Sequence, residues 1–348
     1  MKASRHLAVL ATLAAGTLLA VSTAGARTFN QPGNILIADQ FNNRVIEISP
    51  NGQIVWSFGQ GPQDLSARSI LGVNDAERVG SLTLMAGTGI PAGVDPFCTN
   101  QNGCADNRVV LVNPQGHIVW QYGKFGVTGS GPDQLNTPVQ STYTKRQTVF
   151  ITDQANERII EVGRNKRILW QYGTTGVSGT GFNQLNNPNS AELLDNGHVL
   201  ISDENNNRAI EVDRSKTIVA TFTAGGTASG VAFASRLGNG NTLLTDSNNN
   251  RIVIVDPKDN ILFQYQTNLQ SGSNGNPLPT RAVETKTGQI LISDQFNHRV
   301  ILIDQAKNLV TQYGILDQSG YGTTSTQQGL FAPYDAKVIG DYTGLTPP

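Results

Sequence analysis

The polar and apolar positions between residues 34 and 340 alternate in short runs, and glycine, asparagine or aspartate punctuates nearly every gap. One unit shows the pattern: "SAELL" is followed by the turn "DNG", then "HVLIS", the loop "DENNNR", "AIEVD", the turn "RSK" and "TIVATF". Runs of this length, rich in branched residues with turn residues between them, predict four strands joined as an antiparallel meander. No stretch sustains the 3.6-residue period of an amphipathic helix.

The unit recurs. "DQFNNRVIEISPNGQIVWSFG" begins at Asp39, and closely similar stretches begin at Asp153, Asp203, Asp246 and Asp294. A sixth, "ADNRVVLVNPQGHIVWQYG", begins at Ala105 without the leading aspartate. Their arginines, Arg44, Arg108, Arg158, Arg208, Arg251 and Arg299, are separated by 64, 50, 50, 43 and 48 residues. Six units of four strands predict an all-β fold, a six-bladed β-propeller. An open solenoid would need capping units with a polar outer face, and the repeats show none.

Two further features predict a closed ring. Twelve positions before the loop aspartates stand Ser141, Ala191, Ala234 and Ala282, and Ala76 and Ala336 take the same strand phase in the other two units. Small side chains suit the crowding of innermost strands near an axis. The first unit, "QPGNILIADQ", lacks an inner strand, whereas "FAPYDAKVIGDYTG" at the other end is an inner strand with nothing after it. Residues 34 to 59 and 333 to 340 are therefore expected to form one blade, the first being completed by the C-terminal strand, which removes an exposed sheet edge.

The first 26 residues read differently. Lys2, Arg5 and His6 precede the apolar run Leu7 to Val21 and the small residues Ala24-Gly25-Ala26, the tripartite form of a cleavable secretion signal. The run is shorter than a spanning helix requires. Residues 1–26 are thus expected to be a signal peptide and 27–348 a single propeller, exported to a periplasmic or extracellular location with no membrane span after cleavage. Cys98 and Cys104 bracket "TNQNG", and a disulfide is the expectation in an oxidising compartment, since no second pair or nearby histidine completes a zinc site. Without the signal, 23 basic residues face 26 acidic ones, so nucleic acid has no electrostatic footprint here.

The pattern "GNILIADQFNNRVIEI" and the linkers "GVTGSGPDQLNTP" and "GVSGTGFNQLNNP" resemble NHL repeats, in which a Gly-rich linker and a proline precede the inner strand and a D-x-x-N-x-R loop follows the second. The resemblance covers the whole chain after the signal, and the second unit departs from it where the cysteine-bearing insert replaces the aspartate loop. The strands "GQIVWSF" and "HIVWQY" are similar, more weakly, to secreted arylsulfotransferase-like propellers. The amidating lyases and arylsulfotransferases of this fold depend on histidines near the axis, whereas His117, His198 and His298 all lie beside turns. Neither a Gly-x-Ser-x-Gly elbow nor a His-Glu-x-x-His motif occurs.

The repeated residues read as structural. Asp39, Asp153, Asp203, Asp246 and Asp294 end a strand, and each can cap loop amides and meet the arginine five positions on. Glu47, Glu161 and Glu211, three after their arginines, are expected to pair between blades or to face water, and Trp56, Trp120 and Trp170 to pack the outer strand or to offer a ligand platform. The non-repeating polar residues of the inner strand are the candidate ligand site. Asp75, Gln140, Arg281 and Asp335 stand just before the small residues, and Asn74, Asn189 and Tyr334 one further back. Ring closure is expected to set Arg281, Asp335 and Asp75 side by side at the axial mouth with Asn74 near, offering hard oxygen ligands for a small molecule or calcium, with Asp335 dispensable to the fold. Three functions follow: a binding or scaffold module that takes a protein or carbohydrate partner on its Asn- and Gly-rich loop face, a metal-dependent hydrolase or lactonase using Asp75, Asp335 and Asn189, or an arylsulfotransferase-like transferase.

Overall fold

The computed structural model describes residues 29–320 and 329–341; the expected signal peptide lies outside the described residues. Six four-stranded antiparallel sheets form the blades of a β-propeller. Their inner strands are Pro333–Val338, Val73–Val79, Pro138–Tyr143, Pro188–Leu193, Val231–Arg236 and Arg281–Glu284 for blades one to six. Blade one is closed as expected: Ile35 pairs with Val338 and Ala38 with Asp335, so the C-terminal strand lies inside the first strand of the chain. The small residues face equivalent partners on the second strand, among them Ala336 opposite Ile37, Ala191 opposite Ile201 and Ala234 opposite Leu244.

The apolar faces of neighbouring blades bury one another. One cluster joins Leu36, Ala38 and Val45 of blade one to Val73, Met85 and Val110 of blade two. Another joins Ile35, Ile37 and Ile46 to Val283, Leu291 and Val300 of blade six, so the seam is packed like any other blade interface. Every loop aspartate-arginine pair is formed, with the aspartate buried, from Arg44 Nε to Asp39 Oδ2 at 2.8 Å through Arg158 to Asp153 at 2.7 Å to Arg299 to Asp294 at 2.8 Å. Arg208 and Arg251 pair likewise with Asp203 and Asp246. The carboxylate also accepts the asparagine of its own loop and, through the other oxygen, a backbone N–H of the preceding linker, as Asp153 does from Asn156 (2.8 Å) and Asn136 (2.8 Å). Arg158→Ala would strand this buried carboxylate, and a loss of about 3 kcal/mol is expected in denaturant unfolding.

Blade two solves its missing aspartate locally. Asp106, two residues before Arg108, receives the Arg108 Nε at 2.5 Å and the N–H of Leu71 at 2.8 Å, the two duties of the absent residue. The second and third strands of this blade run on as Leu82–Ile90 and Cys104–Val112, and the Cys98–Cys104 disulfide closes the loop at their tip.

Of the two readings for the glutamates, pairing between blades holds. Glu47 binds Arg78 at 2.6 Å, Glu161 binds Arg214 and Glu211 binds Arg236 at 2.8 Å, each on the next blade. The tryptophans pack rather than stand open: Trp56, Trp120 and Trp170 donate Nε1–H to the carbonyls of Pro114, Arg164 and Arg214 in the next blade's turn. Arg78 and Arg214 lie over the Trp56 and Trp170 rings at 4.7 and 4.5 Å. The glycine that ends several outer strands is required by crowding: at Gly173, φ is +93° and a Cβ would sit 2.2 Å from the Glu157 carbonyl oxygen.

Candidate functional site

The inner strands enter from the face that carries the D-x-x-N-x-R loops and blade linkers, so their first residues converge on the axis at that face. In five of the six blades a β-bulge interrupts the pairing there, at Val73/Asp75, Pro138/Gln140, Pro188/Ser190, Val231/Phe233 and beside Asp335. A bulge leaves carbonyl groups without ladder partners, and Arg281 of blade six collects them. Its guanidinium donates to the carbonyls of Val139 (3.3 Å), Asn189 (3.1 Å), Ala232 (3.1 Å) and Thr280 (3.0 Å) and to Asn189 Oδ1 (3.0 Å). The Phe233 and Tyr334 rings hold it at 5.2 and 5.0 Å. Tyr334 of blade one reaches Asn189 of blade four, where Asn189 Nδ2 donates to its hydroxyl at 2.9 Å. Two blades lie between them on either side, so the two side chains meet across the ring.

This arrangement corrects the expected open mouth. Asn74, Asp75, Gln140, Asn189, Arg281 and Asp335 are each no more than 4% exposed, and Tyr334 is 8% exposed. Arg281 makes its hydrogen bonds away from the aspartates. The cation between Asp75 and Asp335 is Lys337, which the sequence reading passed over: its Nζ lies 2.9 Å from Asp75 Oδ1 and 2.5 Å from Asp335 Oδ2 and also donates to the Ala76 carbonyl. Lys337 follows the small residue Ala336 in its strand, so it faces the axis in the same phase as Asp335. Burial alone would lower its pKa, but Asp335, Asp75 and Glu77 together hold it above the ordinary lysine value. Burial raises Asp75 against the opposing pull of Lys337.

Four of the six residues before the small position share one task. Asp335 accepts the N–H of Ala76 at 3.2 Å, Asp75 that of Ser141 at 3.1 Å, Gln140 that of Ala191 at 2.5 Å and Ser190 that of Ala234 at 3.2 Å. Each therefore staples its inner strand to the next, using whichever oxygen its side chain offers. Asp335 thus joins the inner strands of blades one and two as well as meeting Lys337. Two positions further along, Glu77 and Glu192 repeat the device toward Tyr143 and Arg236, and burial pushes both carboxyls up to about 8.

The donors do not fit calcium. The two axial aspartates already enclose an ammonium, the bulge carbonyls already enclose a guanidinium, and no group of three or more His, Cys, Asp or Glu among the described residues could hold a metal.

The loop face is less symmetric. Blade two's insert raises Val94 and Phe97 above it, and the following linkers expose Val127, Val177 and Phe182, the last at 77%. Beside them a cavity of about 250 Å³ opens between blades two and three, lined by Thr88, Ile90, Pro91, Asn102, Thr128 and Asn136 among others. The two linkers have the same internal shape, with Gly129 N–H donating to Leu135 and Gly179 N–H to Leu185. Residues 91 to 103, 124 to 137 and 173 to 187 contain three charged side chains: Asp95, which is buried, Asp133, which pairs with Lys166 at 2.9 Å, and Lys124. The repeat pattern marks only part of this sector: Val127 and Val177 hold the same place in the two linkers, whereas Phe182 stands where the other linker has Pro132, and Val94 and Phe97 belong to the insert.

Both fold and site thus define a six-bladed β-propeller with a plugged axis and a built-up loop face. No family model and no curated protein sequence matches the chain. Among solved structures it is similar to virginiamycin B lyase from Staphylococcus aureus, with a TM-score of 0.52 and 14% identity over 81% of each chain. It is similar also to a protein of unknown function from Bacteroides caccae, with a TM-score of 0.57 and 13% identity over 85% of this chain and 98% of that one. A structure solved as a nidogen/laminin complex matches with a TM-score of 0.52 and 12% identity over 80% and 92%. At such identities the likeness establishes the fold.

Proposed function

We propose that this chain is an exported binding module of the NHL type, which docks a protein partner on the loop face over blades two to four. The observation that carries the reading is the contrast between the two ends of the candidate site. The axis is filled by the protein's own side chains, whereas the loop face presents Val94, Phe97, Val127, Val177 and Phe182 around an accessible cavity. Apolar anchors with amide and hydroxyl groups between them are the composition of a protein-recognition surface. The disulfide holds the insert in shape, which lowers the ordering cost of association, and it accords with an exported chain. Among the described residues no helix is long and apolar enough to cross a membrane. One structure of like fold was solved as a complex of two proteins.

The test is capture of exported proteins from the producing cell on the immobilised chain, with Phe97→Asp/Phe182→Asp as the matched control. Both side chains are exposed, so the variant should melt like the wild type while losing at least about tenfold in affinity for whatever the wild type retains, the scale of one or two anchors. Because the sector carries little charge, binding should change little between about 50 and about 500 mM salt. Equal capture by both proteins would move the partner site off this face. A steep salt dependence would contradict apolar docking.

A further inference from the structure

A second set of joints links the blades around the loop face, and one of the six is chemically unlike the rest. The residue before each repeat arginine turns into the left-handed region and offers its side chain to an N–H just ahead of the next inner strand. Asn43 Oδ1 accepts from Gly72 at 2.9 Å, Asn107 from Thr137 at 2.9 Å, Asn207 from Gly230 at 2.8 Å and Asn250 from Leu278 at 3.1 Å. Glu157 Oε2 accepts from Asn187 at 2.6 Å. At the seam, where blade six meets the C-terminal strand of blade one, the acceptor is His298 Nδ1, 3.1 Å from the N–H of Ala332. Both residues have positive φ, 54° at His298 and 51° at Ala332, a conformation that a non-glycine residue holds only when its surroundings enforce it.

An N–H can donate to Nδ1 only if that nitrogen keeps its lone pair, so His298 is neutral, with its proton on Nε2. Protonation converts Nδ1 into a second donor pointed at the Ala332 N–H. The surroundings fit a neutral ring. Phe331 meets it edge to face at 5.5 Å, and the nearby charges are Asp317 in the following linker, whose Oδ1 accepts from Asn274, and the internally paired Asp294 and Arg299 of its own loop. Burial lowers the imidazole pKa, and the charge of Asp317 opposes this without reversing it.

We propose that the His298–Ala332 joint is an acid-sensitive seam: protonation of the imidazole breaks the hydrogen bond at the one place where the ring is closed by the end of the chain. The C-terminal inner strand of blade one then loosens while the four asparagine joints, which do not titrate, remain intact; the Glu157 joint, whose carboxyl burial raises, lies at blade four and is kept out of the comparison. The sign follows from linkage. A folded-state histidine held below its ordinary value of 6.5 contributes stability that is present above that pH and is lost as the pH falls through the folded value. Asp39, which accepts the N–H of Phe331 at 2.8 Å, titrates in the same segment, but Asp153 and Asp203 do the same at other joints, so its effect is shared around the ring.

The experiment compares the full chain with His298→Asn, which installs the side chain found at four of the other joints, by thermal melting and amide hydrogen exchange at about pH 7.5 and about pH 5.5. The wild type should lose protection at Tyr334 to Val338 by about threefold to tenfold at the lower pH, after correction for intrinsic exchange, relative to the inner strand of blade three. His298→Asn should show no such local difference and a flatter melting profile between the two values. The same local loss in both proteins would overturn the proposal, as would protection lost equally around the ring. If His298→Asn folds poorly, the ring nitrogen shifts of the wild type decide: Nδ1 carrying the proton at neutral pH would also overturn it.

Discussion

Deletion of Phe331 to Pro348 will abolish the cooperative melting transition of the full chain or lower it by more than about 10 °C. The deleted segment supplies the inner strand of blade one, paired from Ile35 with Val338 to Asp39 with Pro333. Ladder hydrogen bonds contribute about 1 kcal/mol each, and the deletion also removes Ala336 from the apolar interface between blades six and one. Tyr334, Asp335 and Lys337 leave the axis at the same time, so Arg281 loses a stacking partner and Asp75 its counterion. The sum exceeds about 5 kcal/mol, comparable with the whole stability of an ordinary domain. Circular dichroism melts of the two proteins provide the measurement, and an unchanged midpoint would refute closure by the C-terminal strand.

Lys337→Met is expected to cost about 3 to 5 kcal/mol near neutral pH, although methionine fills nearly the same space. The ammonium is the common partner of Asp75 and Asp335, which are 0% and 1% exposed, and removing one member of a buried ion group leaves charge that water cannot reach. The direction with pH distinguishes this from a packing defect. Burial already raises Asp75 against the pull of Lys337, and without the ammonium that carboxyl should be held further above its unfolded value, so it favours the folded state when protonated. Part of the lost stability should therefore return as the pH falls toward the ordinary carboxylate range and be absent above it. Denaturant unfolding at several pH values checks this, and a loss independent of pH would show that the charge is not the cause. Asp335→Asn should do less harm, since an amide oxygen can still accept the Ala76 N–H.

What was legible in the chain was whatever recurs within one unit. The aspartate, asparagine and arginine of "DQANER" act on one another across a single turn, so their spacing in sequence is nearly their geometry in space, and all five aspartate pairs are formed. Asp106 shows the limit of reading by register. It supplies the missing contacts of blade two from a position the repeat does not mark, because an arginine can be reached from either side of a loop.

The axial residues were found by their phase but not by their partners. Lys337 and Asp75 are separated by 262 residues and meet only because the ring closes between them. Arg281 could face either the aspartates beside it or the far wall, and strand phase does not say which. Bulge carbonyls from three other blades and the faces of Phe233 and Tyr334 decide the matter, because a buried guanidinium needs many acceptors at once.

The sequence by itself determined the all-β class, the number of blades, the strand that closes the ring and the disulfide, since each rests on periodicity, on small side chains at a fixed phase or on contacts within a few residues. The tertiary structure alone decided that the axis is plugged, that Lys337 neutralises the aspartates, that His298 forms the sixth joint and that Val94, Phe97, Val127, Val177 and Phe182 are exposed on blades two to four. Those outcomes depend on which side chains from distant blades share the same few ångströms, and that is settled by the competition for hydrogen-bond acceptors and space once the ring has formed.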